Sequence, residues 1–227
     1  MAIAARAQQD RAALGIAMTL GAYAFFSLID TSVKWLIVAG LPAMQLAFMR
    51  YLPHFIISTA LVIRQGASWS NFQTNHLGLV VLRGFLLGSA TMFNFITLKY
   101  LSLTVTGSIM FSAPIIVCAL SWPLLGERVG PWRWGAIVLG FIGVLVVIRP
   151  FDADFHWIAL LNVYNAISLA LYSIITRKLS GVVAAETMQF YMGAIGAVML
   201  APFAWYAWVT PTTPLHWALM LGLVQRR

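Results

Sequence analysis

Long apolar stretches that are almost free of charged residues recur along the whole chain. Residues 12–29 contain no Asp, Glu, Lys or Arg, and neither do residues 187–225. A helix of about 20 apolar residues spans the roughly 30 Å hydrocarbon core of a lipid bilayer. The stretches therefore predict membrane-spanning helices, and the chain is expected to be an all-α integral membrane protein.

The composition agrees with a lipid environment. Hydrophobic residues make up 61% of the chain and charged residues 9%, whereas a soluble domain carries about 25% charged residues. So few charges cannot cover a water-facing surface, which makes the lipid bilayer an expected partner. The net charge of +8 does not indicate a nucleic-acid partner, because long uncharged runs separate the basic residues and no basic stripe forms.

The apolar runs predict seven complete helices and the beginning of an eighth. The approximate bounds of the seven are 12–36, 43–63, 77–98, 103–125, 132–148, 156–176 and 187–208. Pro114 is expected to break the fourth helix, because proline removes a backbone hydrogen bond. The last apolar run, 215–224, covers only about half a membrane span at roughly 1.5 Å per residue. The chain is therefore expected to be C-terminally truncated within its eighth helix.

The basic residues outside the helices predict the orientation. If the N-terminus lies in the cytoplasm, nine basic residues fall on the cytoplasmic side and three on the opposite side, and Lys and Arg concentrate in cytoplasmic loops. The nine are Arg6, Arg11, Arg64, Arg128, Arg133, Arg177, Lys178, Arg226 and Arg227, and the three are Lys34, Lys99 and Arg149. A cytoplasmic N-terminus is the prediction.

Part of the sequence repeats with a fixed offset. A shift of 144 residues (178 − 34) places Lys34 on Lys178, Val38 on Val182, and Met44-Gln45 on Met188-Gln189. A unit of five helices crosses the membrane an odd number of times, so its second copy must be inverted, as in many secondary transporters. We predict a five-helix first repeat over residues 1–150 and an incomplete, inverted second repeat over residues 151–227.

Several short motifs occur in a specific order from the third predicted helix onward. They are Arg83-Gly84-Phe85-Leu86-Leu87, Phe111-Ser112-Ala113-Pro114, Leu125-Gly126-Glu127-Arg128, Trp132-Arg133-Trp134-Gly135, Gly140-Phe141-Ile142-Gly143-Val144 and Arg149-Pro150. This order resembles the drug/metabolite transporter superfamily, in its EamA branch of ten-helix carriers. The resemblance covers the first repeat in full and about two and a half helices of the second.

The resemblance implies transport of a small organic metabolite, in either direction, across the bacterial inner membrane. Compared with a ten-helix carrier, this chain lacks helices nine and ten and the end of helix eight. The alternative is therefore a non-transporting remnant, from a truncated or frameshifted gene. A homologous membrane subunit that covers the gap is a further partner that the pattern allows.

Ionisable residues within the membrane are costly, at about 2.5–3.5 kcal/mol each on insertion scales, and so are candidates for function. Asp30 and Arg50 are expected at similar depths, about 9 and 12 Å from the outer ends of adjacent helices. They predict either a pair that holds two helices together or a polar patch in a substrate cavity. Lys34, four residues after Asp30, is expected to compete for its carboxylate. His54, four residues after Arg50, is expected to face the same interior, as a neutral, hydrogen-bonded histidine or as a proton site.

Other candidates carry similar alternatives. Arg83 is expected to extend to the cytoplasmic surface, or else to offer a cation to an anionic substrate. Pro114 leaves a backbone carbonyl without its helical hydrogen-bond partner. The resulting break either lines a cavity or is only a structural kink in the helix. The remaining polar candidates either bind substrate or hydrogen-bond helices together: Tyr23, Asn94, Asn162, Asn165, Tyr172, Gln189 and Tyr191. The predicted substrate-binding residues are Tyr23, Asp30, Arg50, His54, Arg83, Asn94, Pro114, Asn165 and Gln189.

The sequence argues against an enzyme. The four histidines are scattered and no HExxH motif occurs, and the Asp152-Ala153-Asp154 pair stands alone in a predicted outer loop. No metal site, cofactor or catalytic residue is predicted. Gly84 and Gly88, with three residues between them, are expected to let another helix pack closely. Glu127 is expected to tie down the turn after the fourth helix.

Overall fold

The computed structural model describes residues 2–64, 74–126, 130–148 and 156–222, and each regular element in these ranges is an α-helix. In chain order they are α1 (Ala2–Val38), α2 (Ala43–Arg64), α3 (Leu77–Tyr100), α4 (Leu103–Met110), α5 (Ala113–Leu125), α6 (Pro131–Ile148), α7 (Ala159–Leu179), α8 (Ala185–Tyr206) and α9 (Pro214–Gly222). The predicted all-α membrane class is confirmed.

The predicted helices agree with the observed ones to within about three residues, except at the start of α1. That helix begins at Ala2 rather than near residue 12, because residues 2–8 include four alanines, Arg6 and Gln8, which favour a helix. Five helical segments are long and apolar enough to cross a membrane by length and composition: Leu20–Val38, Leu77–Tyr100, Leu103–Leu125, Ala159–Leu179 and Ala185–Tyr206.

The fourth predicted helix is broken, as the proline indicates. The chain leaves α4 at Met110, passes through Phe111 and Ser112 as a turn, and starts α5 at Ala113. Pro114 stands in the first turn of α5, where a missing backbone N–H leaves no gap in the helical hydrogen bonds. The break therefore places a helix start, rather than a continuous helix, in the middle of this segment.

Glycines bring α2 and α3 into close contact with α8. α2 packs along α8, and α3 packs against both α7 and α8. A Cβ atom at Gly84 of α3 would lie 2.8 Å from Ile195 Cδ1, and one at Gly193 of α8 would lie 2.9 Å from Phe55 Cα. A Cβ at Gly196 would overlap the ring of Tyr51. The predicted close packing at Gly84 is confirmed, and α8 contributes a second set of small residues to the same contact.

The apolar side chains fall into an inner and an outer set. The main buried cluster joins α1, α2, α3, α8 and α9, and includes Leu36, Leu46, Phe95, Leu200 and Met220. Large apolar side chains of α6 are exposed, among them Trp132, Leu139, Phe141 and Val146. Exposed apolar surface of this kind is expected where a protein faces lipid rather than water.

Some predictions concern residues outside the described ranges. The Glu127–Arg128 turn and the Asp152–Asp154 loop are among these. The side chain of Tyr23, predicted to bind substrate, is also outside what the structure describes.

Candidate substrate cavity

A cavity of about 420 Å³ lies between six helices, a volume within the usual range for small-molecule sites. Its wall is largely apolar and aromatic, with a few polar groups, which is the usual composition of a ligand pocket. The side chains that carry its chemistry are Phe26 of α1, Arg50, Tyr51 and His54 of α2, Pro114 of α5, Tyr172 of α7 and Gln189 of α8.

Tyr51 is a fixed part of this wall. Its side chain is buried and packs over Gly196. Its hydroxyl donates to the Leu87 carbonyl at 3.0 Å and shares a 2.8 Å hydrogen bond with Thr91 Oγ1. These contacts join α2, α3 and α8 beside the cavity, so the position of the ring is set by three helices.

A smaller cavity of about 80 Å³ is lined by Asp30, Arg50, Thr91 and Asn94. Asn94 Nδ2 donates to Asp30 Oδ1 at 3.0 Å. The Arg50 guanidinium carbon lies 5.6 Å from the centre of the Phe26 ring. Arg50 and Phe26 line both cavities, so the small cavity adjoins the large one at these residues.

Asp30 and Arg50 thus share a cavity, and in the described part of the chain they form no direct ion pair. Asp30 uses Asn94 as its hydrogen-bond partner, and Arg50 stacks on an aromatic ring. The direct pair inferred from equal depth is therefore not formed in this structure. The alternative, a polar patch on a cavity wall, agrees with where the two side chains lie, and its role in binding stays a prediction.

Lys34 does not compete for Asp30, and that expectation is wrong. Its Nζ donates to the carbonyls of Leu98 at 2.6 Å and Leu101 at 3.0 Å. The last carbonyls of a helix lack intrahelical partners and attract a positive charge. Lys34 therefore caps the C-terminus of α3 rather than serving the cavity.

Arg83 does not extend to the surface, and that expectation is also wrong. The residue is only 2% exposed. Nε donates to Thr176 Oγ1 at 2.7 Å, Nη1 to the Met188 carbonyl at 3.1 Å and Nη2 to Tyr172 Oη at 2.7 Å. The guanidinium also lies 4.5 Å from the centre of the Tyr172 ring. Arg83 therefore ties α3 to α7 and α8, and it holds a side chain that lines the cavity.

Asn165 has a structural position as well. With its amide oriented to match its neighbours, it donates to the Ala90 carbonyl at 2.9 Å and accepts from the Asn94 amide at 3.0 Å. The adjacent Asn162 Nδ2 donates to the Thr106 carbonyl at 3.0 Å. Both asparagines are fully buried, so they bond α7 to α3 and α4, the helix-bonding alternative.

The predicted residues therefore separate into groups. Arg50, His54, Pro114 and Gln189 line the large cavity, and Asp30 and Asn94 line the small one. Arg83 and Asn165 lie in helix contacts. Phe26, Tyr51 and Met192 also line the large cavity and were not predicted to do so. Their only signal in the sequence was a helical spacing that places them near other candidate residues. The described residues contain no group of three or more His, Cys, Asp or Glu side chains that could bind a metal ion.

Comparison with known proteins identifies the family. Residues 13–149, more than half of the chain, match the EamA-like transporter family. The chain belongs to the EamA-like transporter family. This agrees with the resemblance seen in the motifs.

Several curated transporters are similar over most of this EamA-like chain. The riboflavin transporter of Rhizobium johnstonii is 29% identical over 86% of this chain and 63% of its own length. The S-adenosylmethionine uptake transporter of Rickettsia prowazekii is 28% identical over 82% of this chain and 63% of its own length. The pseudopaline exporter of Pseudomonas aeruginosa is 23% identical over 92% of this chain and 72% of its own length. No solved structure gives a significant match.

The chain spans less than two thirds of the length of the first two relatives. All three are named as transporters. They include both an uptake protein and an exporter, so the family leaves the direction of transport open.

Proposed function

We propose that this chain is a secondary carrier that moves a small organic metabolite across the bacterial inner membrane through the 420 Å³ cavity. The observation that carries the proposal is the position of that cavity among helices that can cross a membrane. Arg50, His54 and Gln189 are polar groups in an otherwise apolar and aromatic wall. Charged and polar residues at membrane depth that line a cavity usually mark a substrate pathway.

The proposal includes the inverted repeat, with residues 1–150 as one unit and 151–227 as part of a second. The packing of the helices supports it. Under the shift of 144 residues, α1 corresponds to α7, α2 to α8, and α3 approximately to α9. In agreement, α3 packs on α8 as α9 packs on α2, and α3 packs on α7 as α9 packs on α1. Carriers built from such repeats expose the site alternately by moving one repeat against the other.

Transport itself is tested in lipid vesicles that contain the purified 227-residue chain. Riboflavin and S-adenosylmethionine are the first compounds to try, because relatives are named for them. Saturable uptake that competitors reduce, and that Arg50→Gln lowers at least about tenfold, is expected. The matched control is Arg64→Gln, at the exposed end of α2. Uptake that does not saturate for these or other metabolites would refute transport by this chain.

The cytoplasmic N-terminus is part of the proposal and has its own test. After replacement of the native Cys118, single cysteines are placed at Gln73 and at Asp154. In intact cells an impermeant thiol reagent is expected to label Asp154→Cys and to leave Gln73→Cys unlabelled. The opposite pattern would reverse the topology.

A homologous membrane subunit is the further partner that the proposal includes. Two differently tagged copies, and a tagged copy with a co-expressed EamA-like relative, test for it. Recovery of both partners in one complex from mild detergent is expected, and a monomer under all such conditions would exclude this partner.

A further inference from the structure

The Tyr172 hydroxyl accepts a hydrogen bond from a buried cation. Arg83 Nη2 donates to Tyr172 Oη at 2.7 Å, and Arg83 is buried. Since a guanidinium has donors and no acceptor, the hydroxyl oxygen is the acceptor in this contact. The hydroxyl keeps its own hydrogen, which therefore points away from Arg83 and needs an acceptor elsewhere.

A second hydroxyl bound to the same guanidinium shows what Tyr172 lacks. Thr176 Oγ1 accepts from Arg83 Nε at 2.7 Å and donates to the backbone carbonyl of Tyr172 at 2.7 Å. Both hydrogen-bonding roles of the threonine are therefore filled. The acceptor that the described structure gives the Tyr172 hydroxyl is Met192 Sδ, at 4.0 Å. Because a thioether sulfur is a weak acceptor, the hydrogen of Tyr172 is poorly satisfied.

This hydrogen lies at the wall of the large cavity, because Tyr172 and Met192 both line that cavity. The methionine side chain is flexible and adapts its position easily, so it does not block the approach of a better acceptor. The bond from the Arg83 guanidinium polarises the hydroxyl and strengthens it as a donor. The same guanidinium lies 4.5 Å from the centre of the Tyr172 ring. Tyr172 therefore offers the cavity one strengthened donor on a ring that is held in place.

We propose that the Tyr172 hydroxyl donates a hydrogen bond to a carbonyl or carboxylate oxygen of the transported compound, and that Arg83 is the positioning residue that fixes this donor. The oxygen of the compound replaces Met192 Sδ as the acceptor. This inference rests on the proposed function, because it takes the ligand to be the transported compound. It adds the chemistry of one contact in the large cavity and a role in binding for a residue outside its wall.

The first test compares compounds that share a ring system and differ in one acceptor. Indole-3-acetone carries a ketone oxygen, indole-3-acetate carries a carboxylate, and 3-isobutylindole has the shape of the ketone without its oxygen. Affinity for the purified full chain in nanodiscs is measured by ligand-induced thermal stabilisation. Indole-3-acetone is expected to bind about three- to tenfold tighter than 3-isobutylindole, the range that one neutral hydrogen bond contributes.

Variants assign this preference to the hydroxyl. Tyr172→Phe keeps the ring and removes the hydroxyl, so it is expected to bind indole-3-acetone and 3-isobutylindole equally. Tyr164→Phe is the matched control on the same helix, because the Tyr164 hydroxyl shares a 3.0 Å hydrogen bond with Ser89 Oγ and lines neither cavity. The control is expected to keep the preference of the wild type.

A further variant separates positioning from helix contact. Arg83→Lys keeps the positive charge but loses the fixed geometry of the guanidinium, and it is expected to reduce the preference for the ketone. In the Tyr172→Phe background the same substitution is expected to leave the preference unchanged, because no donor is left to position. If Arg83 only held helices together, Arg83→Lys would lower the unfolding temperature and leave the preference intact.

The second test observes the hydroxyl directly. The intensity ratio of the tyrosine Fermi doublet in the Raman spectrum reports whether a tyrosine hydroxyl mainly accepts or mainly donates hydrogen bonds. The difference between the spectra of the wild type and Tyr172→Phe isolates Tyr172. Without a ligand it is expected to be mainly an acceptor. Indole-3-acetone and indole-3-acetate are expected to shift it towards a donor, and 3-isobutylindole is not.

Each outcome decides one question. A preference for the ketone that survives Tyr172→Phe, equal binding of indole-3-acetone and 3-isobutylindole to the wild type, or binding of none of the compounds overturns the proposed contact. The expected preference and Raman shift without saturable vesicle uptake support the contact but refute the carrier function. If Arg83→Lys does not fold, the Raman spectrum of the ligand-free wild type decides the role of Arg83: a mainly donating Tyr172 overturns it, and a mainly accepting one supports it.

Discussion

Arg50 of α2 and Arg83 of α3 both lie in apolar helices, and the structure uses them in opposite ways. Arg83 is buried and donates to groups on two neighbouring helices. Arg50 is half-buried, stacks on Phe26 and lines both cavities. The cost of a charge in the membrane is similar for both, so the cost does not reveal the role. The role depends on whether the protein itself supplies the partners.

The difference explains why the two residues looked alike in the sequence. The partners of Arg83 are Tyr172, Thr176 and Met188, which are about 90 to 105 positions away along the chain. No local pattern around Arg83 indicates that these groups will meet it. For Arg50, the next helical turn holds His54, which also lines the large cavity, so the local spacing did indicate a shared interior.

The largest expected effect is on stability, in Arg83→Met. The substitution removes three hydrogen bonds from a charged donor group, each contributing about 1.5–3 kcal/mol. We expect a loss of more than about 3 kcal/mol, seen as a lower unfolding temperature in detergent and poor accumulation in the membrane. Arg50→Met is expected to lose less, about 1 kcal/mol, the value of one cation–π contact. Equal losses in the two variants would contradict the comparison.

A smaller effect is expected from the glycines that fix the cavity wall. Gly196→Ala places a methyl group into the Tyr51 ring, and overpacking of this kind costs about 1–3 kcal/mol. Gly143→Ala is the matched control, since nothing lies within 4 Å of its Cβ position and alanine favours a helix by about 1 kcal/mol. The measurement is the unfolding temperature of each variant. If Gly196→Ala were as stable as Gly143→Ala, the close approach of α2 to α8 would be wrong.

Much of the fold was predictable from the sequence, because apolar length and proline act locally. The helix bounds, the break before Pro114 and the close contact at Gly84 follow from neighbouring residues. The cavity was predicted less well. The Tyr51 ring fits against α8 because Gly196, which is far away along the chain, has no side chain there. Lys34 binds the carbonyls at the end of α3 rather than Asp30, and the packing of α1 against α3 that brings them together is not visible in the local sequence.

The shared cavity of Asp30 and Arg50 predicts that their effects are coupled. Asp30→Asn and Arg50→Gln are each expected to lower vesicle uptake about tenfold, or about 1.4 kcal/mol. The double variant is expected to be no worse than either single one, because each single substitution already disrupts the same polar patch on the cavity wall. A double-mutant cycle on the vesicle uptake measures this coupling. Strictly additive losses would mean that the two side chains act independently.

The smallest effects are expected at two glutamines that the shift of 144 residues aligns. Gln45 is fully buried, donates to the Val209 carbonyl at 2.8 Å and accepts from the Val209 amide at 2.9 Å. Gln189 lines the large cavity, and its Oε1 atom is buried with no partner in the described structure. The two glutamines differ as Arg83 and Arg50 do. The Gln45 side chain hydrogen-bonds to the protein's own backbone, whereas the Gln189 side chain lines the cavity.

Gln45→Leu is therefore expected to lose about 1–2 kcal/mol of stability, the value of two ordinary hydrogen bonds. Gln189→Leu is expected to change stability by less than about 0.5 kcal/mol, or to increase it slightly, because it removes a buried acceptor that nothing satisfies. In transport the order reverses: Gln189→Leu is expected to change substrate affinity, while Gln45→Leu leaves it unchanged once the protein is folded. Unfolding temperatures and vesicle uptake, measured on the same preparations, separate the two effects. If both variants lost stability equally and neither changed affinity, Gln189 would be a structural residue like Gln45, and the cavity wall would have only Arg50 and His54 as its predicted polar contacts.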